Sequence, residues 1–289
     1  MKSGFVNIFG KPNAGKSTLL NALVGEKMAI VSSKVQTTRH RIKAFLSKPG
    51  KYQIIFSDTP GIIEPKYKLH ERMMRNVKAA LEDADIALLL SDISDDKKDV
   101  DNLLKSLKLE TKTILVLNKI DKLPQNKIEE AKSFYSTQPY AKNIVTISAS
   151  QKLNLDELLN KILELLPEGE AFYNDDELSD LPTKFFVSEL IREKMYELFE
   201  QEIPYQSAVM INEYKEKQSL IKIQADIIVQ RESQKAIVLG ENGKMIKKLG
   251  IMAREDIEKF LQQKIYLQLF VKVKPKWRDN DLYLKEYGY

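Results

Sequence analysis

Apolar residues recur along the first 167 positions in two alternating rhythms. Short dense runs (FVNIF, QIIFS, IALLLSD, TILVLNK and IVTISA) are separated by longer stretches in which apolar residues return every three to four positions. Dense runs predict buried strands and the 3.6-residue rhythm predicts helices; their alternation predicts a mainly parallel α/β sheet with helices on both faces. RIKAFLS (Arg41 to Ser47) begins with polar and apolar positions alternating, which predicts an edge strand paired with QIIFS.

The rhythm breaks in the acidic stretch PEGEAFYNDDELSDLP, bounded by Pro167 and Pro182, which reads as a linker. Beyond it come a long amphipathic helix (TKFFVSELIREKMYELFEQE), strands SAVMINEYKEK and LIKIQADIIVQ, a helix–turn–helix region and a last strand, KIYLQLFVKVKP. That order, α-β-β-α-α-β, predicts an α+β unit unlike the first. The expected organisation is an α/β domain over 1–168, a linker over 169–182, and an α+β domain with a C-terminal tail over 183–289.

Composition narrows the chemistry. A chain of 289 residues, 43% apolar, can bury two cores, and with no cysteine it can form neither a disulfide nor a cysteine-ligated metal site. His40 and His70 are too few for a histidine cluster. MKSGFVNIFG has no secretory pattern, and the longest apolar run, Ile86 to Leu90, is far short of the roughly 20 residues that span a bilayer. A cytoplasmic protein is expected, with any membrane association peripheral. The net charge of +5 is uneven: Arg231 to Arg278 carries twelve Lys or Arg against five Asp or Glu. Such a region either meets a polyanion or is a solvated lysine-rich surface.

Four segments carry the candidate chemistry. GKPNAGKS comprises Gly10, Lys11, Pro12, Asn13, Ala14, Gly15, Lys16 and Ser17, and sits between a predicted strand and a helix that continues with Thr18. This is the phosphate-binding loop pattern: glycines let the backbone N–H groups wrap the phosphates, Lys16 reaches the β- and γ-phosphates, and the Ser17 hydroxyl holds Mg²⁺. DTPG (Asp58, Thr59, Pro60, Gly61) ends the QIIFS strand. Asp58 is expected beside the Mg²⁺, acting through a bound water, and the Gly61 N–H at the γ-phosphate.

NKID ends the TILVL strand, with Asp121 placed to accept from the ring N–H and amino group of guanine, Asn118 bracing the loop and the Lys119 stem covering the base. Adenine would leave Asp121 unpaired, so guanine is the expected base. ISAS can add Ser148 and the Ala149 N–H at the guanine carbonyl.

These four segments, each at a strand's C-terminal end, resemble the GTP-binding domain of the translation-factor-related GTPases from about Lys2 to Leu166. QTTRHR (Gln36 to Arg41) fits the first switch, whose threonine completes the Mg²⁺ shell when the γ-phosphate is present. Thr38 is favoured over Thr37, without the sequence deciding. Catalysis would then rest on Lys16, Thr38 and Gly61. Ile62, which follows the DTPG loop, cannot hold a water. Backbone groups near Thr38 and Gly61, a group from RNA or the ribosome, or a K⁺ ion on Asn13 remain as ways to position it, and slow intrinsic hydrolysis is expected.

In the basic region, IVLGENGKMI sets Gly240 and Gly243 between two helical segments, as in the G-x-x-G turn of KH-type RNA-binding domains. Gly240, Gly243, Lys244, Lys247 and Lys248 are the candidate RNA contacts. With QTTRHR, SELIREK, RESQK and VKVKPKW, nearly the whole chain resembles the bacterial ribosome-associated GTPases that carry a C-terminal KH domain of type II. The resemblance implies a protein that binds GTP or GDP with Mg²⁺ and the 3′ region of small-subunit (16S) ribosomal RNA. It also implies a role in 30S subunit maturation, coupled to growth and division, and peripheral association with the inner membrane. A monomer is expected, without the sequence deciding the oligomeric state.

One departure is that Glu241 and Asn242 stand where family members commonly carry Lys and Gly. Glu241 is expected to point away from the phosphates. Trp277 and Arg278 can either stack on bases or pack against their own domain. A nucleotide sensor with negligible turnover and a transfer-RNA-modifying GTPase are competing readings; the lack of cysteine and the G-x-x-G segment disfavour the second.

Overall fold

The dense runs become strands and the 3.6-residue stretches become helices. In chain order the first part of the molecule is β1 (Lys2–Gly10), α1 (Lys16–Val24), β2 (Ile42–Lys48), β3 (Tyr52–Asp58), α2 (Lys68–Glu82), β4 (Ile86–Asp92), α3 (Lys97–Ser106), β5 (Lys112–Asn118), α4 (Gln125–Ser136), β6 (Ile144–Thr146) and α5 (Leu155–Leu165). The six strands form one sheet in the order β2-β3-β1-β4-β5-β6. All neighbours are parallel except β2, which runs antiparallel to β3 from Ile42 opposite Asp58 to Lys48 opposite Tyr52. The strands are apolar on both sides because both sides are covered. Phe9, Ala87, Leu89, Leu115 and Leu117 pack with residues of α2, α3 and α4. Their alternates Ile8, Leu88, Leu90 and Val116 are equally buried. Each of the larger side chains among them contributes about 1.5–3 kcal/mol. With β1 between β3 and β4, the strand order reverses at the end of β1, the place where sheets of this kind bind ligands.

The computed structural model describes Met1 to Tyr289 and divides into two compact units. One comprises Met1–Ala29, Thr38–Glu64 and Met73–Asp180; the other comprises Ile30–Thr37, Pro65–Arg72 and Leu181–Tyr289. Of the stretch read as a linker, residues 169–180 belong to the first unit. Gln53 anchors it: its Oε1 accepts from the N–H groups of Phe172 and Tyr173, and its Nε2 donates to the Tyr173 carbonyl. Tyr173 stacks on Phe45 at 3.9 Å, and the Phe45 N–H donates to the Leu178 carbonyl at 2.9 Å. The segment thus covers the outer edge of β2, which would otherwise present unpaired backbone groups.

The second unit contains α6 (Thr183–Leu198), α7 (Ile203–Gln206), β7 (Ala208–Glu216), β8 (Ile221–Val229), α8 (Glu232–Leu239), α9 (Lys244–Leu261), β9 (Ile265–Val273) and α10 (Asp281–Glu286). Its sheet runs β7-β8-β9, with β7 antiparallel and β9 parallel to β8. Val187 and Ile191 of α6, Ala253 and Ile257 of α9, and Ile223 and Ala225 of β8 form its centre. The expected helix through Glu202 ends earlier, since Phe199 is extended at φ −114° and ψ 145°; the short α7 then starts at Ile203 with Pro204 in its first turn, where the missing N–H costs no helix hydrogen bond. No helix is long and apolar enough to cross a membrane.

Candidate nucleotide and RNA sites

Between the end of β1 and the start of α1 the chain must turn sharply with its N–H groups inward. Asn13 at φ 63° and Gly15 at φ 99° make the turn, and α1 then presents its N-terminus to the loop. Neighbours leave the glycines no room for a side chain: a Cβ on Gly10 would lie 2.2 Å from the Leu90 carbonyl oxygen, and one on Gly15 2.3 Å from Asn118 Nδ2. Lys16 is buried, its ammonium donating to the carbonyls of Lys11 at 2.9 Å and Gly10 at 3.3 Å. Burial pulls its pKa down to about 8, against the attraction of Asp58. Burial in turn raises the carboxyl of Asp58, opposed by Lys16 and by the hydroxyls described next.

Three oxygens meet beside the loop. Asp58 Oδ2 accepts from Ser17 Oγ at 2.6 Å and from Thr38 Oγ1 at 3.0 Å, and the two hydroxyls are 2.9 Å apart. Asp58 Oδ1 is buried with no hydrogen-bond partner, an arrangement that suits a hard cation and its bound waters. Thr37, the alternative left open by the sequence, turns its hydroxyl to the Lys34 carbonyl at 2.7 Å, so Thr38 is the threonine at this cluster.

The DTPG loop is pinned: Thr59 Oγ1 donates to the Ile8 carbonyl at 2.6 Å, Pro60 is buried, and a Cβ on Gly61 would lie 2.8–2.9 Å from atoms of Pro12. Ile62 packs its side chain against the apolar cluster under the sheet, while its N–H donates to the Gly10 carbonyl at 3.3 Å.

At the other end of the cleft, Asn118 Nδ2 donates to the Ala14 carbonyl at 2.8 Å, tying the base-side loop to the phosphate loop. Its Oδ1 accepts from the Ala149 N–H at 3.0 Å, so a guanine carbonyl would share that donor. Lys119 Nζ donates to the Asn13 carbonyl at 2.7 Å and to Asp92 Oδ2 at 2.6 Å. Asp121 is exposed and makes no hydrogen bond within the chain. Ser148 Oγ accepts from the Gln151 N–H at 3.3 Å, shaping the turn. Thr18 is half-buried on the first turn of α1. Asp92 went unnoticed in the sequence; an acid closing the IALLLSD run was the available signal.

In the second unit, the G-x-x-G turn joins α8 to α9 with Gly240 at φ 69°, Asn242 at φ 51° and Gly243 at φ 74°. A Cβ on Gly240 would lie 2.6 Å from Met245 Cγ, whereas one on Gly243 would come no nearer than 4.0 Å to Ile246. Lys244, Lys247 and Lys248 are exposed. The Glu241 carboxylate lies 3.8 Å from Lys244 Nζ. Beyond the turn, Ile246, Lys247, Gly250, Ile251 and Arg254 of α9 and Tyr266 and Leu267 of β9 line a groove of about 360 Å³. Apart from Lys247, the sequence did not single out these groove residues, because the pairing of α9 with β9 is a tertiary contact. Trp277 packs inside: it is fully buried, with Nε1 donating to the Gln206 carbonyl at 2.9 Å, so it cannot stack on a base. The Arg278 guanidinium lies 4.2 Å from the Tyr67 ring centre.

A glycine-rich loop opening α1, the DTPG loop and Thr38 beside it and the NKID loop at the other end of the cleft, on one sheet followed by a KH fold, define a GTPase with an RNA-binding module. The family described as "50S ribosome-binding GTPase" matches residues 5–119, and the KH domain family matches 202–278. GTPase Era of Clostridium kluyveri is 44% identical, the match covering 100% of this chain and 99% of that protein; GTPase Era of Caldanaerobacter subterraneus is 43% identical over 100% and 98%. A crystal structure of Era in complex with MgGDPNP and nucleotides 1506–1542 of 16S ribosomal RNA has a TM-score of 0.96 at 41% identity, covering 100% of this chain and 99% of that one. A single-residue variant of Aquifex aeolicus Era bound to GDP·AlF4⁻ gives 0.93 at 41% identity over the same shares. The chain belongs to the Era family of GTPases.

Proposed function

We propose that this chain is a GTP-hydrolysing switch that binds the 3′ region of 16S ribosomal RNA through its KH unit and assists maturation of the 30S subunit. The observation that carries the reading is the convergence of Ser17, Thr38 and Asp58 within 2.6–3.0 Å of one another beside the phosphate loop, with one Asp58 oxygen left without a partner. The Era relative that binds MgGDPNP and an RNA fragment supports carrying both ligands to this chain.

Each residue then has a physical task. Lys16 exchanges the Lys11 and Gly10 carbonyls for phosphate oxygens, and burial makes that attraction stronger than it would be in water. The hydroxyls of Ser17 and Thr38, with Asp58 through a water, hold a Mg²⁺ ion. That ion neutralises phosphate charge when bound. The backbone of Gly61, wedged against Pro12, offers its N–H to the γ-phosphate without reorganising. Asp121 stays unpaired until guanine arrives, which sets the choice of base. In the second unit the G-x-x-G turn and the groove between α9 and β9 receive a few unstacked nucleotides.

Ile62 leaves the attacking water without a side-chain partner. Lack of a charge-stabilising group there costs on the order of 10³–10⁵ in rate, so intrinsic hydrolysis is slow. A K⁺ ion at Asn13 is the finer reading. It predicts faster turnover in K⁺ than in Na⁺, lost in Asn13→Ala, and equal rates in the two salts would remove it. The chain is further proposed to act as a cytoplasmic monomer with peripheral inner-membrane association, which fractionation and light scattering test. For the main reading, crosslinking to total cellular RNA with a non-hydrolysable GTP analogue should yield adducts at the 16S 3′ end. Adducts spread over unrelated RNAs would refute it.

A further inference from the structure

The SELIREK segment (Ser188 to Lys194) has no place in the nucleotide or RNA chemistry above, yet it contains four of the molecule's buried charges: Glu189, Arg192, Glu193 and Lys194. Within the second unit, α6 and the turn after it hold Val31–Thr37 through backbone groups of Val31, Gln36 and Thr37 and through the Lys34 side chain. Glu193 Oε1 accepts from the Val31 N–H at 3.0 Å. Lys34 Nζ donates to the carbonyls of Tyr196 at 2.7 Å and Phe199 at 2.6 Å. The Tyr196 hydroxyl donates to the Gln36 carbonyl at 2.8 Å, and Arg192 Nη2 donates to the Thr37 carbonyl at 2.5 Å. Glu189 fixes that guanidinium, accepting from Nε at 2.7 Å and Nη2 at 2.5 Å.

Apolar burial does not hold this segment, since Val31 and Val35 remain 42% and 41% exposed. Gln36 adopts φ 58°, a left-handed conformation that a residue with a Cβ keeps only when its surroundings impose it. The last gripped carbonyl, that of Thr37, is bonded through one peptide link to Thr38, whose hydroxyl reaches Asp58.

We propose that Arg192, oriented by Glu189 and assisted by Tyr196, is a positioning residue for Thr38, so that α6 of the KH-containing unit sets the geometry of the GTP site in cis. It acts on the one ligand expected to engage only with the γ-phosphate. Loosening it therefore weakens the GTP-bound state and leaves GDP binding alone. The inference rests on the reading of Thr38 given above.

The test uses the full chain and measures affinity for GDPNP and GDP with Mg²⁺, single-turnover hydrolysis, and amide hydrogen exchange across 31–38. Glu189→Gln with Arg192→Met removes the clasp without leaving an unpaired buried carboxylate. Tyr196→Phe removes one hydroxyl and spares the core. The paired variant should lose about tenfold in the GDPNP-to-GDP affinity ratio and in hydrolysis rate, and exchange faster over 31–38, with GDP affinity within twofold of the parent. Tyr196→Phe should move the same ratio by two- to threefold, which keeps the test decisive should the paired variant not fold. Arg192→Lys, keeping charge and one donor, should recover part of the loss. Thr38→Ala runs in parallel: if it lowers the ratio while the clasp variants do not, the inference falls and the Thr38 reading stands. If Thr38→Ala itself leaves the ratio unchanged, both fall.

Discussion

The phosphate loop and the G-x-x-G turn are both glycine-built turns that open a helix, and they differ in tolerance at the glycine that caps that helix, Gly15 in one and Gly243 in the other. Gly240 is as crowded as the phosphate-loop glycines, with Met245 Cγ 2.6 Å from where its Cβ would go. Around Gly10, Gly15 and Gly61 the nearest atoms stand 2.2–2.9 Å from where a Cβ would go, and Asn118 stitches two loops together with buried hydrogen bonds. Around the second glycine of the other turn, Gly243, there is open space, and the lysines nearby are exposed. A site for one rigid ligand with localised charge gains from preorganisation, which places donors before the ligand arrives. A site for a flexible single strand gains from room and mobile charge.

The comparison is tested most severely at Gly15. Gly15→Ala would strain a left-handed residue, at about 1–2 kcal/mol, and push on Asn118, whose buried hydrogen bonds are worth about 1–3 kcal/mol each when broken. Calorimetry should show GTP affinity falling on the order of 10²–10³, whereas Gly243→Ala should cost RNA affinity no more than about fivefold. Equal losses would erase the distinction. Next in size, Asp121→Asn exchanges a carboxylate for an amide that mismatches guanine's donors, and removing charge-assisted bonds of about 1.5–3 kcal/mol should weaken GTP binding by about 10². Unchanged selectivity against ATP would detach Asp121 from the base.

Third is a pH effect. Burial pulls the Lys16 pKa down to about 8, and phosphate oxygens favour its charged form. Affinity should be complete below pH 8 and fall by up to about tenfold per unit above it, until the pKa of the bound state is reached. A flat profile from pH 7 to about 9 would mean that the ammonium is less buried than described. The smallest change is expected at the G-x-x-G turn: Glu241→Lys should raise RNA affinity by about threefold and steepen its salt dependence by about one phosphate contact. A loss of RNA binding would mean that Glu241 contributes to the turn's shape.

The nucleotide site was largely legible because each of its parts is a short segment at a strand's end, where local pattern and position coincide. Thr38 and Thr37, identical in type and adjacent, were separated only by the hydroxyl geometry, with one facing Asp58 and the other Lys34. What the sequence withheld depends on distant partners. Residues 169–180 look like a linker because they are acidic and carry no periodicity, yet Tyr173 is held by Gln53 and Phe45, 120 and more residues upstream. Trp277 offers the same aromatic face whether it binds a base or fills its own unit, and its full burial decides for the core. In the sequence SELIREK is part of an amphipathic helix, and only the contacts with Val31–Thr37 show what its charges hold.

A GTP-hydrolysing switch that binds RNA would couple the two ligands within one chain. The direct measurement is the affinity for an oligonucleotide of the 16S 3′ end, compared between GDPNP and GDP at fixed Mg²⁺ and salt. Coupling is reciprocal, so the RNA should also shift the GDPNP-to-GDP affinity ratio by the same factor. The expected result is RNA binding at least fivefold tighter with GDPNP, matched in the reciprocal experiment. RNA affinity independent of the nucleotide would contradict it.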